Sequence, residues 1–223
     1  MELLLVDHVC LTRVAGHLIL LDLRKSRYHA APSPFSEVLE AAASGDGARF
    51  VGTPEADRLI RKDWLRFGST DATIHAAWLE PARADWNNPQ GRFSRVSPPL
   101  FTTALALQFA SICRLKLYSL EKIVTALRET KAALKSNDWF DEEEINALLS
   151  SFEATRRVIG ERDRCLMKSI ALFRLLVSRG VSVDLVIGVR LAPFSAHCWV
   201  QKDGNVLNDR FERVRLFTPI VRV

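Results

Sequence analysis

Arg164-Cys165-Leu166-Met167-Lys168-Ser169 reads as the head of a helix, and Ala196-His197-Cys198-Trp199-Val200 and Val206-Leu207-Asn208-Asp209 follow it in order. Cys165 to His197 is 32 residues and His197 to Asp209 is 12. Beyond Cys165, the apolar positions Leu166, Ile170, Leu172, Phe173, Leu176 and Val177 keep one helix face until Arg179-Gly180, a C-terminal stop. Val181–Val189 is a β-branched run, and Ala196–Gln201 and Val206–Leu207 read as strands joined at Asp203-Gly204-Asn205, a hairpin signal. The expected order is a cysteine on a helix start, a histidine on a strand and an aspartate at the end of the next strand.

That order suits nucleophilic chemistry. Only the thiolate attacks, so a reactive cysteine needs a positive neighbourhood, which a helix N-terminus and an imidazolium both supply. The free backbone N–H groups of the helix start also offer one donor to an oxyanion. His197 can hold Cys165 as thiolate, and Asp209 can accept from the other ring nitrogen and fix the tautomer. Taken singly, each residue also fits a packing role: a cysteine on an apolar helix is often a small core side chain, and Asp209 after Asn208 suits a turn. The residues alone leave both readings open. Cys198 should face away from His197 by strand alternation, and it, Cys10 and Cys113 are expected to be core residues. Trp199 reads as core or as a shield beside the site, and Arg164 as a solvated cation or a source of positive potential.

The first 75 residues read as three small strands followed by helices. Leu3–Val6 and Val9–Val14 are apolar, Ala15-Gly16 turns the chain, His17–Leu23 resumes a strand and Arg27–Ala30 forms another. Pro32 and Pro34 end the meander, Ser33 or Ser36 is expected to cap a helix through Ala43, and Ser44-Gly45-Asp46-Gly47 breaks it. Thr53-Pro54 starts a second helix, on which Leu59, Ile60, Trp64 and Phe67 fall at helical spacing as far as Gly68. Residues 79–99 hold Pro81, Pro89, Pro98 and Pro99 with Asn87, Asn88 and Gly91, and read as a linker. A helical region opens near Leu100 with a break at Ser119-Leu120. Another helix follows Asp141, carries three glutamates in its first turn, and runs to Ile159 before Gly160.

Composition bounds the classes. A content of 48% hydrophobic and 26% charged residues fits a folded globular chain, not a disordered one. Residues 1–75 hold 9 Lys/Arg against 10 Asp/Glu, and residues 76–223 hold 22 against 16, so the net charge of +5 belongs to the second part. It is scattered, which argues against nucleic acid as a partner. The longest apolar run, Leu100–Ile112, is short for a bilayer span, and Met1–Leu5 lacks a basic n-region, so no membrane partner and a cytoplasmic location are expected. Four cysteines without a CxxC pair support neither a disulfide framework nor a zinc site, and no metal is expected.

The quoted motifs, with Leu185-Val186-Ile187-Gly188-Val189, resemble the lasso peptide maturation proteases, the B proteins with a transglutaminase-like, papain-related domain. The resemblance covers about residues 100–223 and implies Cys165, His197 and Asp209 as the catalytic triad. Cys198 departs from it, where a small residue such as Ala is expected. Residues 1–78 resemble, less specifically, the winged-helix-like domain that recognises leader peptides of ribosomally made peptides. There a leader adds as a strand to a sheet edge and packs on a helix, which here implies Arg27, Tyr28 and His29 with Leu59, Arg61, Lys62 and Trp64. The fold class expected is α+β, a small leader-recognition domain followed by a papain/transglutaminase-like cysteine protease domain. The implied activity is binding a lasso precursor by its leader and cutting leader from core before cyclisation. The implied partner is an asparagine-synthetase-like cyclase, through which any ATP dependence would enter, with no cofactor bound by the chain itself. A transglutaminase-type acyl transferase and a catalytically inactive delivery adaptor are the alternatives.

Overall fold

The computed structural model describes residues 2–68, 81–86, 96–134, 142–159 and 164–223. It is α+β, with two compact units: residues 1–79 with Ser119–Glu121, and residues 80–118 with 122–223. The expectations at Asn87, Asn88, Pro89, Gly91, Asp141 and Gly160 lie outside the described residues.

In the first unit, β1 (Glu2–Leu5) precedes an antiparallel meander of β2 (Val9–Val14), β3 (His17–Asp22) and β4 (Arg27–Ala31). Ala15 and Gly16 both have positive φ at the first hairpin, the conformation a two-residue turn needs to match strand twist. Helix α1 (Phe35–Ser44) follows, then a short 3-10 turn (Gly47–Phe50) and α2 (Pro54–Arg61). Thr53 caps α2 as its sequence suggests, accepting from the Ala56 N–H at 3.3 Å, with Pro54 at the first position. The Leu3, Leu18, Leu20, Leu39 and Leu59 side chains meet in one core, each worth about 1.5–3 kcal/mol on burial.

Three expectations for this unit need correction. Neither Ser33 nor Ser36 caps α1. Pro34 occupies that position, and the Ser33 hydroxyl donates to Glu37 Oε1 at 2.8 Å. The second helix does not reach Phe67. Asp63 adopts φ 60°, Trp64 N–H returns to Leu59 O and Asp63 N–H to Ile60 O, so a left-handed residue closes the helix. The chain then extends as β5 (Leu65–Gly68), antiparallel to β1. Cys10 is half-buried, not fully in the core.

The second unit holds a five-stranded sheet in the order β10-β7-β8-β9-β6. Its elements in chain order are β6 (Ala84–Asp85), α3 (Pro98–Leu117), α4 (Leu120–Ala132), α5 (Glu142–Ala154), α6 (Arg156–Ile159), α7 (Cys165–Ser178), β7 (Asp184–Leu191), β8 (Phe194–Lys202), β9 (Asn205–Val206), α8 (Phe211–Val214) and β10 (Thr218–Arg222). Part of the expected linker is therefore structure. Ala84–Asp85 pairs in parallel with Asn205–Val206, and Pro98 and Pro99 open α3, where a missing N–H costs nothing. Thr155 separates α5 from α6 where a single helix was expected.

Helix α7 packs against β7 and β8 on one side and α3 on another. Nine of its residues are buried, including Ile170, Ala171, Leu172, Phe173 and Leu175, so it is apolar nearly all round, as a central helix must be. Gly180 ends it at φ 88°, with Val181 N–H returning to Leu176 O. Helix α3 exceeds the apolar run read from the sequence. At 20 residues it is long and apolar enough, by length and composition, to cross a membrane. It also packs on α5 and α7, burying Ala104, Gln108 and Ser111. Cys113 on this helix is exposed, contrary to its expected core role.

Candidate active site

Cys165 is the first residue of α7, with Arg164 in the capping position. Arg164 is exposed, and its guanidinium donates to the carbonyl of Ile159. His197 lies in β8 directly opposite Gly188 of β7. Asp209 follows β9, the short partner of β8, and so returns beside His197. The structure thus brings together the three residues the motifs singled out.

His197 Nε2 lies 2.6 Å from Asp209 Oδ2. The other ring nitrogen is left for the Cys165 sulfur, with which the imidazole shares a hydrogen bond. His197 is only 5% exposed and Asp209 15%, so water screens the line poorly. Burial alone would lower the His197 pKa, but the hydrogen bonds and charges of Asp209 and Cys165 outweigh it and raise it to about 9. Burial likewise pushes the Cys165 thiol up. The His197 hydrogen bond and charge, with backbone N–H groups of Cys198 and Leu166, bring it below the ordinary thiol value. Asp209 is held below the usual carboxylate range, because the His197 bond, the Arg210 N–H at 2.8 Å and Arg213 outweigh its burial. The site therefore favours imidazolium at His197 and draws Cys165 toward thiolate, with a carboxylate behind.

Cys198 is a different kind of cysteine. Complete burial, then the neighbouring Cys165 charge, push its thiol far above the ordinary value, so it stays neutral. It is the buried residue that strand alternation suggests.

Aromatic rings enclose the histidine. Trp199 stacks at 6.3 Å between centroids and Phe217 sits at 5.2 Å, tilted by 38°. Trp199 is 1% exposed and donates its indole N–H to Gln201 Oε1 at 2.9 Å, so it serves as both core and shield. Gly188 makes the room. A Cβ there would lie 2.8 Å from Trp199 Cζ3 and 2.9 Å from Phe217 Cβ. Gly188→Ala is therefore expected to cost about 1–3 kcal/mol through overpacking and to lower turnover by displacing the His197 ring. Thermal unfolding and kcat measured together check this; an unchanged kcat would refute the link to His197.

The residues implied for leader contact divide. Arg27, Tyr28 and His29 occupy β4, the last strand of the meander. The His29 ring lies 4.9 Å from that of Trp64, and Lys62 Nζ sits 4.7 Å over the Trp64 ring. Leu59 is 1% exposed within the core and cannot meet a peptide; it anchors α2 to that core. Trp64 lies beyond the helix end, is buried, and donates to Asp22 Oδ2 at 3.3 Å.

Comparison with known proteins places this geometry. Over 45 residues the chain is 53% identical to the microcin J25-processing protein McjB of Escherichia coli, a stretch covering 20% of this chain and 22% of that relative. The chain thus spans about a fifth of the length of the curated relative it matches. No solved structure matches. The model of the transglutaminase-like superfamily matches residues 108–222, over half of the 223, and takes in α7, β7 to β10 and all three residues of the site. By that match the chain belongs to the transglutaminase-like superfamily.

Proposed function

We propose that this protein is a cysteine peptidase that binds a lasso-peptide precursor by its leader and cleaves leader from core. The carrying observation is the Cys165–His197–Asp209 line at the head of α7, with the Cys165 thiol held below its ordinary value by His197. The likeness to a protein named for processing microcin J25 supports the substrate class. Cys165 attacks the scissile carbonyl, and His197 gives its proton to the departing amine. Water, deprotonated by His197, then releases the acyl-enzyme while Asp209 steadies the ring. The released amino terminus of the core would pass to an asparagine-synthetase-like cyclase, with any ATP requirement entering there.

Leader docking is assigned to the winged-helix-like first unit. Among the described residues β4 has β3 on one side and no strand on the other, so its outer edge suits an added strand. Arg27, Tyr28, His29 and Lys62 lie along that edge or beside it. Holding the leader there raises the effective concentration of the scissile bond at the thiolate. Incubating the protein with a lasso precursor and following intact masses tests this. Release of leader mass is expected; a precursor joined to an added amine would indicate acyl transfer instead.

The pH dependence follows from the site. Activity requires a deprotonated Cys165 and a protonated His197. It should fall in acid as the thiolate takes a proton, and in base as the imidazolium loses one. The kcat/KM profile is expected to be a bell with an alkaline limb near pH 9 and an acid limb below the ordinary thiol range, both limbs belonging to the coupled pair. A rate still rising through pH 9 would contradict the ion pair.

A further inference from the structure

Strand β8 is longer than its neighbour β9, so among the described residues no strand pairs with its edge beside Cys165. Gln201 and Lys202 pair with Val206 and Asn205, and Val200 O still accepts from Leu207 N–H at 2.9 Å. Past Leu207 the chain leaves the sheet. Val200 N–H is met instead by the Asn208 side chain, whose Oδ1 accepts it at 2.8 Å. Two residues along, the Cys198 peptide groups point to the same vacated side, since backbone direction alternates along a strand. Their partners come from α7. Ser169 Oγ donates to Cys198 O at 2.9 Å, and the Cys198 N–H is one of the groups that lower the Cys165 thiol.

Ser169 lies four residues after Cys165, so both side chains leave the same face of α7 and meet the backbone N–H and C=O of one residue, Cys198. Asn208 completes the link by donating Nδ2–H to Ser169 Oγ at 2.9 Å. Ser169 is fully buried, and its hydroxyl both gives and receives. A second line of residues thus runs one step beside the triad: Ser169 one turn below Cys165, Cys198 next to His197, and Asn208 next to Asp209.

We propose that Ser169 and Asn208 are positioning residues that clamp the Cys198 peptide to α7, and so aim the Cys198 N–H and the His197 ring at the Cys165 sulfur together. The clamp takes the place of the strand that β9 does not continue. It fixes how far the helix start stands from the sheet edge, the coordinate on which both sulfur hydrogen bonds depend. The inference rests on Cys165 being the nucleophile proposed above, and it adds a backbone donor and two side chains that the triad omits.

Alkylation of Cys165 by iodoacetamide reads the thiolate without any substrate. It is followed across pH by peptide mapping in a Cys113→Ala background, which removes the exposed thiol. The titratable groups facing the sulfur are His197 and Cys198 on β8, with Asp209 and Arg213 behind His197, and neither substitution alters them. Ser169→Ala and Asn208→Ala are each expected to move the apparent thiol pKa up by about one unit, an alkylation rate about tenfold lower below the midpoint. The double variant should be no worse than the worse single, because Asn208 reaches Cys198 only through Ser169. An alkylation profile unchanged from the parent, with only the melting temperature lowered, would overturn the proposal, as would fully additive shifts. Asn208 is half-exposed, so its variant carries the same readout if Ser169→Ala does not fold. A shifted profile in a protein that cleaves no precursor would count against the peptidase reading alone.

Discussion

Cys165→Ala is expected to lower precursor cleavage by at least about 10⁴-fold, ~5.5 kcal/mol of transition-state stabilisation, while leaving leader affinity unchanged. The loss is this large because no other thiol can replace the nucleophile. Cys198 is the nearest in sequence to the histidine, but it is 3% exposed and kept protonated by burial and by the charge of Cys165. The substitution also removes one cause of the raised His197 pKa. Asp209 remains, so the ring should titrate below about 9 while keeping its carboxylate partner. Quenched-flow cleavage, anisotropy of a labelled leader and an NMR titration of His197 read the three effects separately. Cleavage at the parent rate would sink the peptidase assignment. A leader affinity that fell with the cleavage rate would sink its division between Cys165 and the β4 edge.

What the sequence made legible follows the range of the interactions involved. Local signals held: Thr53-Pro54 starts α2, Gly180 stops α7, and Asp203-Gly204 turns β8 into β9, with positive φ at both residues. That Cys165, His197 and Asp209 would meet was legible because they sit on element starts and ends that such signals mark. Elements made by distant pairing were not. Thr218–Arg222 contains Pro219, which reads as a breaker, yet it forms an edge strand on β7, where a missing donor and a register shift are tolerated. Ala84–Asp85 is too short to show a period and becomes a strand only because Asn205–Val206 is there to pair with it. Trp64 and Phe67 fell at helical spacing from Leu59 by coincidence, and one left-handed residue, Asp63, cancels the pattern. Ser169 and Asn208 stood inside the quoted motifs, but nothing local marks them. Their role appears only where β9 ends and α7 fills the edge.

Asp209→Ala should reduce kcat/KM by about 10²- to 10⁴-fold, and its pH profile separates loss of orientation from loss of fold. Asp209 acts on the ring in two ways. Its 2.6 Å bond to Nε2 fixes which nitrogen faces the sulfur, and its charge helps hold the imidazolium. Removing the carboxylate lowers the His197 pKa, so the alkaline limb of the bell moves down from about 9. Cys165 then loses part of the positive neighbour that lowers it, and the acid limb moves up. The two limbs approach each other and the active ion pair occupies a narrower window. Asp209→Asn retains an acceptor for the ring N–H without the charge, so it should keep more of the rate than Asp209→Ala while narrowing the window in the same sense. Arg213, 3.6 Å from the carboxylate and exposed, releases to solvent in either variant and adds little. A uniform drop in rate with both limbs in place would mean that Asp209 serves the fold alone. Converging limbs, with circular dichroism and melting temperature near the parent, would place its effect on the imidazole.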